Sequence, residues 1–138
     1  MIICSISQSN CFGNAGMAST GFHLQHLSGV LDRVFTYARA EGLSEFQFAQ
    51  LAEEGKDSAK GYTVADLVNR FNKQVDQALV QIKSTNESTL SDYRGVGRAG
   101  LPSTVIGLLF HAAEHTMRHV GQFSSRWSFS MSVSVLRC

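Results

Sequence analysis

The chain has 138 residues, with 12 Lys+Arg against 11 Asp+Glu for a formal net charge of +1, and 43% hydrophobic residues; this fits one soluble domain with a core and is short for two. A charge so close to zero gives no field to draw the protein to nucleic acid or to an anionic membrane surface, and no run approaches the roughly 18 apolar residues of a membrane helix. Cys4, Cys11 and Cys138 are an odd number without zinc-finger spacing, so they read as reduced thiols, and the absence of a basic, apolar leader makes the cytoplasm the expected compartment.

Residues 1–19, rich in Ser, Asn, Gly and Cys, are expected to form an irregular arm. Helical pattern begins near Thr20 and runs to about Arg39. At about 100° per residue, His26, Val30, Val34 and Tyr37 share one face and Leu24, Leu31, Phe35 and Ala38 another, with Gly42 as the stop. A short helix follows in LSEFQFAQLAEEG (43–55), opened by Ser44 with Gln47 as a capping box and stopped by Gly55. Thr63 and Asp66 open a long helix in which Val64, Leu67, Val68, Phe71, Val75, Ala78, Leu79 and Ile82 recur at threes and fours.

NESTLSDYRGVGRAG (86–100) is polar and glycine-rich, hence a long connection; its GVGRAG lacks the preceding strand and the spacing of a phosphate loop. Pro102 suits the first turn of a final helix reaching about Trp127. Residues 128–138 alternate Ser with apolar residues and form an atypical C-terminal tail, leaving 20–127 as the helical-bundle domain. With no sustained period of two elsewhere, the expected fold class is all-α, a bundle of long helices.

All five histidines fall in two places, His23 and His26 in the first helix and His111, His115 and His119 in HAAEHTMRHVGQF (111–123). On the helical wheel His115 shares a stripe with Leu101, Val105, Leu108, Ala112, His119 and Phe123, so two imidazoles point into the bundle. An unsatisfied polar ring there costs on the order of 1–3 kcal/mol, and a shared metal ion would satisfy both. His26, on the apolar face of the first helix, is placed to complete a three-histidine site. His111 lies toward Glu114 and Arg118 on the polar side, an outer or surface group; His23, about 60° from His26, is a neighbour or an alternate ligand.

Three neutral imidazoles suit zinc, nickel, iron, cobalt or manganese and leave a position open for chemistry. Gln122 could orient a ligand there, whereas Glu114 points about 100° from His115 and is a poor general base. No catalytic side chain is assigned, so a nucleophile would be metal-bound water or an exogenous thiol. The competing readings are a non-catalytic bundle with a structural ion and a satisfied histidine cluster with no metal, since HxxxH alone is more often structural.

GFHLQHLSGVLDRVFTYARAEGLS (21–44) followed by LLFHAAEHTMRHVGQF (108–123) resembles the DinB-like superfamily over most of residues 20–123. The resemblance implies a four-helix bundle with up-down-down-up connection, commonly dimeric, with a divalent metal held by three histidines. Residue by residue, it carries the ligands onto His26, His115 and His119, the set that the wheel brings together. Some relatives are metal-dependent hydrolases by label and some transfer low-molecular-weight thiols, so a small-molecule substrate, a thiol among the options, is implied. Relatives carry a complete helix where this chain has its arm, which leaves one wall of the bundle open. A second apolar stripe on the last helix, Ile106, Phe110, Ala113, Met117 and Val120, makes a homodimer the expected way to cover it.

Overall fold

The structure is a computed structural model that describes residues 20–56 and 61–135; the arm at 1–19, the three cysteines and the last residues of the tail lie outside them. Four helices follow in order, α1 (Thr20–Ala38), α2 (Glu45–Glu53), α3 (Val64–Ser84) and α4 (Val105–Val135), with a 3₁₀ turn at Glu87–Thr89 and two short strands, β1 (Tyr93–Val96) and β2 (Leu101–Thr104). The fold is the expected all-α one with a small hairpin added. None of the described helices is long and apolar enough to cross a membrane.

Helix α1 packs against both α3 and α4, which explains why its sequence is apolar on two faces. Val30, Leu31, Val34, Phe35 and Ala38 are all buried, joined by Ala78 from α3 and by Leu108 and Ala112 from α4. At about 1.5–3 kcal/mol for each large apolar side chain removed from water, this cluster is the main source of stability. Val105, Leu108 and Ala112 are buried in a row, so the inward stripe of α4 falls where its spacing puts it. The opposite stripe is left outside: Phe110 is 73% and Met117 72% exposed.

Both capping boxes form. The Ser44 hydroxyl accepts from the Gln47 amide N–H while Gln47 Oε1 accepts from the Ser44 N–H, and Thr63 and Asp66 do the same at the start of α3. Gln47 then turns its amide inward, donating to Asp32 and Thr36 at 2.9 Å each, which docks α2 on α1.

Three expectations are corrected. Gly42 does not stop α1: the helix ends at Ala38, and Ala40 takes the left-handed conformation at φ 62°. Its N–H bonds Tyr37 O while the Glu41 N–H bonds Thr36 O, the pairing of a Schellman motif. Leu101 and Pro102 belong to β2, not to the last helix, with Pro102 opposite Gly95 in an antiparallel ladder. A proline is tolerated because both strands of a two-stranded sheet are edges, and Gly97 and Gly100, at φ 69° and 62°, make the turn between them. Finally, α4 does not stop near Trp127 but continues to Val135, so most of the tail is helical. The hairpin is fixed to α1 by Arg94, whose Nε–H donates to Ala38 O at 2.9 Å, one of the carbonyls the helix end leaves unpaired.

Candidate metal centre

The N-terminal half of α1 and the middle of α4 bring four of the five histidines together. His26 Nε2 lies 3.0 Å from His115 Nε2, and His23 Nδ1 lies 2.9 Å from His119 Nδ1. The rings of His115 and His119, one helical turn apart, have centroids 4.5 Å apart, and that of His26 is 4.8 Å from His119. One ring nitrogen from each of His26, His115 and His119 falls within 4.8 Å of the others, the set that the sequence selects. All three rings are half-buried above the apolar packing of α1 and α4.

Three imidazoles so gathered are a donor set that could hold a metal ion. Two nitrogens held by one ion at about 2.0–2.1 Å and at tetrahedral or square angles are about 2.9–3.4 Å apart, and the His26–His115 separation lies in that interval. Burial first, then the proximity of the other histidines and of Arg118, lowers the pKa of His119 to about 4, and burial followed by His26, His111 and Arg118 lowers that of His115. Both rings are therefore neutral at pH 7, the form that coordinates a cation.

The remaining histidines take different places. His23 is buried, only 5% exposed, and serves as the neighbour of His119. His111 is exposed, its ring 5.4 Å from that of His115. Glu114 is also exposed and is held by Arg118 at 2.6 Å, which keeps its carboxyl below its ordinary pKa. Gln122 is exposed three residues beyond His119.

Sequence reasoning missed two residues. Glu54, just past the end of α2, accepts a hydrogen bond from His26 Nδ1–H at 2.7 Å and pairs with Arg33 at 2.6 Å through its other oxygen. Burial would raise the Glu54 pKa, but the hydrogen bonds from His26 and Arg33 and the Arg33 charge outweigh it, so the group is a carboxylate. Phe22 stacks on the His26 ring, with centroids 5.2 Å apart and planes within 10°. One signal for Glu54 was present: Gly29 sits inside α1, where glycine costs about 1 kcal/mol relative to alanine. A Cβ there would collide with Glu54 Oε1 and come within 2.7 Å of Arg33 Nη1.

The family model of the DinB superfamily matches residues 13–123, most of the chain and all five histidines. The chain belongs to the DinB superfamily. No curated protein and no solved structure matches it. The histidine triad of this DinB protein joins the segment 21–44 to the segment 108–123, the two stretches that carry the resemblance.

Proposed function

We propose that this DinB protein is a divalent-metal-dependent enzyme acting on a small molecule, as a hydrolase or a low-molecular-weight thiol transferase, with the ion held by His26, His115 and His119. The observation that carries this reading is the convergence of three imidazole nitrogens within 4.8 Å from two helices. Zinc, nickel, iron, cobalt and manganese all accept such a donor set. Bound there, a divalent ion supplies Lewis acidity that favours the deprotonated form of a water or thiol ligand.

The chain's own residues have definite tasks in this reading. His115 and His119 offer rings that carry no positive charge at neutral pH, and Ala112, one turn before His115, is buried in the apolar core. Gln122, exposed three residues beyond His119, is assigned the task of orienting a bound small molecule through its amide. The exposed stripe of Ile106, Phe110, Met117 and Val120 on α4 supports a homodimer as the working state.

Elemental analysis of the purified protein beside His26→Ala and His115→Ala tests the centre. Near one divalent ion per chain, lost in both variants, is expected, followed by a small-molecule turnover that chelation abolishes and one added ion restores. Less than a tenth of an ion per chain after incubation with zinc, nickel and manganese would overturn it.

One observation favours a second reading, a satisfied histidine cluster that only holds helices together. The two His–His hydrogen bonds pair the rings, and among the described residues no buried side-chain nitrogen or oxygen lacks a partner. Under it, replacing His26 shifts the melting temperature and changes no metal content.

A further inference from the structure

We infer that Glu54 is a positioning residue for the metal ligand His26: anchored by Arg33 in the gap left by Gly29, it fixes which ring nitrogen His26 turns to the ion. The inference rests on the three-histidine centre proposed above and assigns a role to the residue that caps the end of α2.

A carboxylate only accepts hydrogen bonds. The 2.7 Å contact from His26 Nδ1 to Glu54 Oε2 therefore requires the imidazole proton to be on Nδ1. In the neutral ring the lone pair is then on Nε2, the nitrogen that lies 3.0 Å from His115 Nε2. Glu54 itself is not free to swing. Its second oxygen takes the Arg33 Nη1–H at 2.6 Å, and both side chains are about nine-tenths buried, at 10% and 11% exposure.

Phe22 closes the remaining freedom, stacking flat on the His26 ring. It is backed in turn by Gly55, where an added Cβ would sit 3.4 Å from Phe22 Cδ2. The Glu54–Gly55 corner thus sets both the proton and the plane of one ligand ring. Carboxylate partners of this kind raise the basicity of a ligand histidine, and their removal weakens metal affinity by roughly 10- to 100-fold.

Gly29 supplies the separate handle. Alanine there strengthens α1 by propensity while its methyl collides with Glu54 Oε1, displacing the carboxylate with no ligand or charge removed.

The experiment measures zinc affinity by chelator competition at pH 7.5 for wild type, Glu54→Ala, Glu54→Gln, Gly29→Ala and the Gly29→Ala/Glu54→Ala pair. Circular dichroism checks folding, and ring ¹⁵N spectra of the metal-free proteins report the His26 tautomer. Expected are a Nδ1–H tautomer in wild type that is lost in Glu54→Ala and Gly29→Ala, and roughly 10- to 100-fold weaker zinc binding in both. Glu54→Gln should fall between, and the pair should be no worse than Glu54→Ala alone. Wild-type zinc binding matched by folded Glu54→Ala, or a wild-type His26 with its proton on Nε2, overturns the positioning role and leaves the metal centre standing. Should Glu54→Ala not fold, Gly29→Ala decides by the same two readings. Wild-type protein that takes up none of zinc, nickel and manganese overturns the centre itself, and this inference with it.

Discussion

From Val30 to Ala38, α1 is held mainly by apolar contact with α3 and α4; from Phe22 to Gly29, where Leu27 is buried as well, the same helix adds the rings of Phe22, His23 and His26, the last bonded to the Glu54 carboxylate. The first half gains its stability from area removed from water, which neither protons nor metal ions alter. The second segment adds His23 and His26, whose partners would change with protonation and with a bound cation. One helix thus carries most of its core contacts toward its C-terminal end and part of the histidine cluster at its N-terminal end, and the two should respond separately to perturbation.

The largest break should come from the core. Phe35→Ala removes a buried ring where three helices meet, and about 3–5 kcal/mol of stability should go with it, read as a fall in the urea midpoint. The metal content of whatever fraction stays folded should not change. His26→Ala should do the reverse. It should abolish ion binding in elemental analysis and cost the metal-free protein only about 1–3 kcal/mol, the loss of a hydrogen-bond partner for Glu54 and His115; a larger loss would mean that the histidine end is part of the core.

Acidification sharpens the same contrast. His119 has a folded pKa of about 4 against an ordinary 6.5, and His115 is lowered too. The unfolded chain takes up these protons from pH 6.5 downward and the folded chain only later, so their contribution is intact above 6.5 and is lost as pH falls toward 4. Glu54, lowered from 4.5, adds its own loss below that value. Urea midpoints of the metal-free protein between pH 7.5 and 4.5 should therefore decline, and a flat profile would break the contrast.

Two smaller effects lie away from both ends. Ala40→Gly relieves a left-handed alanine and should stabilise by about 0.5–1 kcal/mol. Met117→Ser on the exposed face of α4 should change monomer stability by less than about 0.5 kcal/mol, yet shift sedimentation from dimer to monomer. A monomeric wild type at micromolar concentration would remove the dimer from the proposal.

Features set by short-range chemistry were legible in the sequence. The capping boxes at Ser44 and Thr63, the inward row Val105, Leu108 and Ala112, and the His115–His119 pair all depend on residues within a turn or two. Contacts set by packing were not. Glu54 reaches His26 across 28 positions, and only Gly29 hinted at it. The hairpin was hidden because its strands have only four residues each: β1 does alternate exposed and half-buried positions, but one of the half-buried ones is Arg94, and β2 does not alternate. Gly42 was the wrong stop because Arg94 and a left-handed Ala40 finish α1 first.

His26 and His115 are 89 residues apart in the chain. An ion shared between them would act as a removable cross-link, enclosing α2, α3 and the hairpin in a single ring of polypeptide. The unfolded chain has no preformed site, so the ion would stabilise the folded one by mass action, by about 2.7 kcal/mol at a hundred times its dissociation constant. Such an ion would thereby act as a clasp for elements well beyond the histidines, and a chelator would loosen regions that never touch it.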